Sequence, residues 1–205
     1  MILYLHGFRS SPSSLKARLL TDYFAASGRA AEFICPQLPA SPAQAIALAQ
    51  RIIDQYLSQH SGKQLSENLG EQINAEISLI GSSLGGFYAT YLAEKNKCKA
   101  VLINPAVTPP RDLEQYVGVT TAYHSDEVFE FKSEYVEELK QLTVSKISHP
   151  ERYFLLAATG DEVLDWREMV AHYPDARQYV IEGSDHGISE FADYLDKVVA
   201  FCDAA

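Results

Sequence analysis

Cysteine is scarce in this chain, with Cys35, Cys98 and Cys202 the three copies among 205 residues. An odd number at wide spacing fits neither a disulfide scaffold nor the paired short intervals of a zinc site. Free buried thiols are expected, with no metal site. Positive charge is also in short supply: 17 Lys and Arg stand against 27 Asp and Glu, a formal net charge of -10. Phosphate backbones and anionic membrane surfaces attract clusters of Lys and Arg, so this balance argues against nucleic acid or membrane partners. Long apolar runs are missing too, since no window approaches the roughly 20 residues of a membrane span. The N-terminus has no basic segment leading into an apolar run. A cytoplasmic protein is the expectation.

What is present suits one domain over residues 1–205. At 47% hydrophobic content, a chain of this length should bury about 70% of its unfolded surface. Short apolar runs recur at Ile2 to Leu5, Glu32 to Cys35, Ile77 to Ile80, Ala100 to Ile103, Tyr153 to Ala158 and Gln178 to Ile181. Each has the length of a buried strand. Between them lie helical patterns at Ser14 to Ser27, Pro42 to Gln59, Gly86 to Lys95, Trp166 to His172 and Glu190 to Cys202. This alternation predicts an α/β fold with a parallel, doubly wound sheet. The stretch from Pro105 to Pro150 breaks it, carrying Tyr116, Tyr123, Phe129, Phe131 and Tyr135 among acidic residues. It reads as a small cap over the C-terminal edge of the sheet, where open α/β folds bind ligands. Ser58 to Gly70 is polar enough for a mobile loop.

The most informative stretch is Ile77-Ser78-Leu79-Ile80-Gly81-Ser82-Ser83-Leu84-Gly85-Gly86. An apolar strand leads into Ser83, with Gly81 and Gly85 two residues away on each side. A side chain at the apex of a strand-to-helix turn needs a crowded backbone, and flanking glycines relieve the crowding. Ser82 would need glycine at Ile80 and Leu84 and has neither. The apolar segment after Gly86 supplies the helix that such an elbow requires.

A serine hydroxyl needs an imidazole to take its proton and a carboxylate to orient that imidazole. His186, in Gly183-Ser184-Asp185-His186-Gly187, follows the last strand; Asp161 follows the strand ending at Ala158. Both would lie at the C-terminal edge of the sheet. His60, His124, His149 and His172 fall in polar contexts where a solvated surface position is expected. Glu162, Asp165 and Asp185 are rival acids. Asp165 is explained as a helix cap, with Glu168 three residues on in the pattern of a capping box. The amides of Phe8, after the turn at His6-Gly7, and of Leu84 would stabilise an oxyanion. His6 would shape its loop.

On these motifs the chain resembles the α/β-hydrolase superfamily, and more closely the small bacterial YqiA-like and YcfP-like esterases. The matching pieces are the elbow, Leu5-His6-Gly7-Phe8 with Ser10-Ser11-Pro12, Pro36-Gln37-Leu38-Pro39, Asn104-Pro105-Ala106-Val107, Thr159 to Asp165, and Ile181-Glu182-Gly183. The resemblance implies an α/β-hydrolase fold: a three-layer αβα sandwich around a mainly parallel six-stranded sheet without the leading antiparallel strands. It implies Ser83 as nucleophile, Asp161 as acid, His186 as base, and Phe8 and Leu84 as oxyanion donors. A small-molecule ester would be the substrate, with acyl-CoA thioesters or acyl transfer the alternatives within enzymes. No cofactor is implied. A non-catalytic ligand-binding protein on the same fold is the alternative outside enzymes. The shortened sheet edge could be covered by a second copy in a homodimer.

Overall fold

The six apolar runs become the strands of one sheet because both of its faces are covered. The computed structural model describes residues 1–60, 76–121 and 128–204. The strands are β1 (Ile2–Leu5), β2 (Phe33–Ile34), β3 (Ser78–Ser82), β4 (Lys99–Ile103), β7 (Tyr153–Ala158) and β8 (Arg177–Ile181). All pair in parallel, in the order β2-β1-β3-β4-β7-β8. The helices of the main body are α1 (Leu15–Ala26), α2 (Pro42–His60), α3 (Leu84–Asn96), α6 (Trp166–His172) and α7 (Leu195–Asp203).

Alternation along each strand divides the core in two. Leu3, Leu5, Leu79, Leu102 and Leu155 face one layer, packed with Ala49 and Ile53 of α2 and Phe87 and Leu92 of α3. Ile2, Tyr4, Ile80, Val101, Phe154 and Leu156 face the other, with Leu20 and Phe24 of α1 and Val198 and Val199 of α7. The result is the expected αβα sandwich.

Several boundaries differ from the expectation. β2 keeps two residues of the four foreseen. β8 lies at the edge, not in the interior, and Tyr179 and Val180 are exposed there. The helix foreseen from Glu190 breaks into a 3-10 turn, Phe191–Tyr194, followed by α7. α3 begins at Leu84 because the backbone reverses at Ser83.

The segment between β4 and β7 carries α4 (Pro109–Leu113), an antiparallel pair β5 (Gly118–Thr121) and β6 (Val128–Phe131), and α5 (Ser133–Gln141). Polar and apolar contacts fasten it to the body. Glu138 of α5 accepts from Ser41 Oγ and the Ala43 amide at the start of α2. Arg111 of α4 grips Glu168 of α6 through two hydrogen bonds. Phe131 lies edge-on to Phe8, with ring centroids 5.1 Å apart, and Tyr116 meets Phe8 at 5.6 Å. Residues 61–70 of the expected mobile loop, and Tyr123 and His124, lie outside the described residues.

Candidate active site

Strand order locates the site. From β1 the chain crosses to β2 on one side and then to β3 on the other, so loops leaving β1 and β3 diverge. Open α/β sheets bind ligands in the crevice created at such a reversal. The loop after β1 holds His6-Gly7-Phe8, and the turn after β3 holds Ser83.

Ser83 has φ 55 and ψ -123, a conformation that non-glycine residues rarely adopt and that costs roughly 1–3 kcal/mol. The surroundings enforce it. The Ser83 amide donates to the Ile103 carbonyl, and the Ser83 carbonyl accepts from the amides of Gly86 and Ala106. The flanking glycines allow the tight approach: a Cβ on Gly81 would stand 2.2 Å from the Gly85 carbonyl oxygen, and one on Gly85 1.9 Å from that of Leu5. Leu84 is the first residue of α3, where the amide has no intrahelical acceptor and the helix end carries partial positive charge. A Cβ on Gly7 would be 3.6 Å from Ser83 Oγ, so the backbone leading to Phe8 passes beside the hydroxyl.

The residues selected from the sequence converge here. His186 Nε2 lies 3.0 Å from Ser83 Oγ, and His186 Nδ1 lies 2.7 Å from Asp161 Oδ2. The Asp161 carboxylate is fully buried, whereas the His186 side chain is 20% exposed. Asp161 Oδ1 accepts from the amides of Val163 and Leu164, both at 2.8 Å, which leaves Oδ2 for the imidazole. With a carboxylate at Nδ1, the neutral ring carries its proton there and offers the Nε2 lone pair to the serine.

The rival acids have other partners. Asp165 caps α6 by accepting from the Arg167 amide; Glu168, which would complete a capping box, turns instead to Arg111. Asp185 accepts from the amide and hydroxyl of Ser189. Glu162 accepts from the His186 amide, holding the backbone of that residue and not its ring. His6 is structural: Nδ1 donates to the Gly7 carbonyl and Nε2 accepts from the Leu38 amide. Burial pushes its pKa down, which favours the neutral ring these two bonds need. His172, expected at the solvated surface, is half-buried edge-on to Tyr173, and burial lowers its pKa as well.

Two residues beside the site were given no role in the sequence, although Asn104 opens one of the pieces that carry the resemblance. Asn104, at the end of β4, is completely buried and reaches the carbonyls of Asp185 and His186. Lys16 of α1 is 9% exposed and donates to the Gly187 carbonyl. Its signal was present: Lys16, Leu20 and Phe24 fall at four-residue spacing on one helix face, and the other two are core residues.

Burial pushes the thiols of Cys35, Cys98 and Cys202 up to about 12. Among the described residues, no group of three or more His, Cys, Asp or Glu side chains could hold a metal ion, and no helix is long and apolar enough to cross a membrane.

The model of an uncharacterised protein family, UPF0227, matches residues 1–203. Among solved structures, a protein from Agrobacterium vitis S4 is 19% identical with a TM-score of 0.69, over 98% of this chain and 87% of that one. Est1E from Butyrivibrio proteoclasticus, solved with ferulic acid bound, is 13% identical with a TM-score of 0.66, over 98% and 86%. Mouse alpha/beta hydrolase domain-containing protein 10 is 17% identical with a TM-score of 0.60, over 97% and 88%. At these identities the likeness is one of fold.

Proposed function

The chain belongs to the UPF0227 family and has the α/β-hydrolase fold, and from that premise we propose that it is a serine esterase cleaving carboxylic esters of small or medium acyl groups. The observation that carries the proposal is the hydrogen-bonded line from Ser83 Oγ through both nitrogens of His186 to the buried Asp161 carboxylate.

His186 Nε2 takes the proton as Ser83 Oγ attacks the ester carbonyl carbon, and the carbonyl oxygen becomes an oxyanion. The amides of Leu84 and Phe8 stabilise that charge. Collapse breaks the carbon–oxygen bond to the alcohol, which leaves with the proton from Nε2, and an acyl-serine remains. Water attacks the acyl-serine, giving its proton to Nε2. The second collapse releases the carboxylic acid and returns the proton to Ser83. Asp161 stabilises the imidazolium formed in each half. The 105–150 segment would act as the cap, with Tyr116 and Phe131 on Phe8 providing an apolar wall.

The test is hydrolysis of p-nitrophenyl esters from acetate to long chains by the wild type and Ser83→Ala. Turnover by the wild type and its loss in the variant is the expected result. Serine-dependent turnover of acyl-CoA thioesters with none of oxygen esters would reassign the substrate class. No turnover of either would overturn the enzyme.

A further inference from the structure

Three consecutive carbonyls of the histidine loop are each captured by a side chain from another element. Asn104 Nδ2 donates to Asp185 O at 3.2 Å and His186 O at 2.9 Å, and Lys16 Nζ donates to Gly187 O at 2.5 Å. Asn104 is itself immobilised. Its amide donates to the Leu156 carbonyl, and its Oδ1 accepts from the Ala158 amide at 2.8 Å. Its φ of 41 lies in the left-handed region, which asparagine tolerates better than most residues. One side chain thereby ties the ends of β4 and β7 to the loop after β8.

The loop needs such restraint. Ile188, completely buried among the core residues beside α7, has φ 48, a costly conformation for a β-branched side chain. A loop released from its anchors could relax that strain by moving the residues before Ile188, His186 included. Among the described residues, the imidazole has one hydrogen-bonded anchor on the side away from Ser83, the Asp161 carboxylate. The backbone of His186 is held separately, through its amide and its carbonyl.

We infer that Lys16 and Asn104 are positioning residues that clamp the 185–187 backbone and so hold His186 Nε2 within hydrogen-bond reach of Ser83. This deepens the esterase reading and depends on it for its catalytic consequence. A lysine is a costly way to fill the space at the start of α1, because burying an ammonium strips away much of its hydration. Burial pushes Lys16 down to about 8, against the opposing pull of the Asp185 and Asp161 carboxylates. Methionine would fill the same space without that cost; what lysine adds is the donor to Gly187.

The clamp is tested with Lys16→Met and Asn104→Asp, the latter keeping an acceptor for Ala158 while setting carboxylate oxygen against the loop carbonyls. Amide hydrogen exchange in a peptide spanning 182–190 reads the loop without any substrate. Each variant should exchange there at least about tenfold faster than wild type, with peptides from β3 and α3 unchanged. On a p-nitrophenyl ester, kcat should fall about 10- to 100-fold with KM within about twofold, the pattern of a misplaced base. Lys16→Arg, which keeps a donor and a charge, should recover part of kcat. Unchanged exchange in both variants would overturn the clamp. Faster exchange with unchanged kcat would overturn its role in positioning His186. A wild type with no Ser83-dependent turnover would refute the esterase reading instead, while the exchange comparison would still decide whether the loop is clamped.

Discussion

Gly85→Ala adds one methyl group to the whole protein, and the geometry assigns it a double penalty. The new carbon would stand 1.9 Å from Leu5 O, 2.5 Å from Leu5 C and 2.8 Å from His6 O. All three are backbone atoms at the end of a central strand, so no side-chain rotation can relieve the clash. Restoring an ordinary contact requires α3 to retreat from β1 by about 1.5 Å. Overpacking of this kind costs roughly 3 kcal/mol, the upper part of its usual range. The retreat also carries Ser83, the residue just before α3, away from His186 Nε2, now 3.0 Å from its hydroxyl. A displacement near 1 Å costs about 100-fold in rate. Gly28→Ala is the control: its φ of 72 makes alanine strained, but nothing stands within 4 Å of the added carbon. It should cost about 1 kcal/mol and leave kcat unchanged. Urea unfolding gives the stability difference, and p-nitrophenyl ester turnover gives the rate. A Gly85→Ala protein as stable and as active as Gly28→Ala would refute the argument that the helix is held at contact distance by glycine.

Asp161→Asn should lower kcat by about 10⁴-fold: with its oxygen held by the Val163 and Leu164 amides, its NH2 would face His186 Nδ1 and force the ring proton onto Nε2. Asp165→Asn should stay within about threefold of wild type, since asparagine caps helices as well as aspartate does; a greater loss than for Asp161→Asn would mean the acid is Asp165. Protonation of His6 would set an N–H against the Leu38 amide. With its folded pKa lowered, stability should be full above the ordinary histidine range near 6.5 and decline as pH falls below it, with His172 acting in the same direction. The urea midpoint should therefore drop between pH 7 and 5, more steeply in wild type than in His6→Gln; equal slopes would contradict this. Glu94 accepts from Ser148, Arg152 and Tyr153, and the Arg152 side chain is 2% exposed. Glu94→Ala should cost about 3 kcal/mol by stranding that guanidinium. Because the pair lies beside the start of β7, away from the strand ends that carry Ser83, kcat should not change.

The strands of the central sheet were legible because burial on both faces leaves short, nearly continuous apolar runs. Edges obeyed other rules: β8, exposed on one side, keeps Tyr179 and Val180 in solvent, and β2 shrinks to two residues. α3 starts two residues before the Gly86 expected from the sequence because the positive φ at Ser83, which ends the strand, lets the helix begin at once. Inside 105–150, β5, β6 and α5 were not readable. The contacts that fasten them, Phe131 on Phe8 and Glu138 on Ser41 among them, are made with residues distant in the chain. Ser83, Asp161 and His186, which the fold brings together, could be selected because the chemistry proposed for them would demand particular side chains at strand ends. Asn104 and Lys16 act on backbone carbonyls, an acceptor every residue offers, so nothing in sequence spacing points to what they hold. Glu162 was weighed as a rival acid, and its hold on the His186 amide was not foreseen for the same reason.

The most direct test of the central claim is covalent labelling by a fluorophosphonate followed by peptide mapping. One label per chain on Ser83, abolished in Ser83→Ala and greatly slowed in His186→Ala, is the predicted result. A folded wild type that takes no label, or takes it on another residue, would contradict the assignment of Ser83 as the nucleophile.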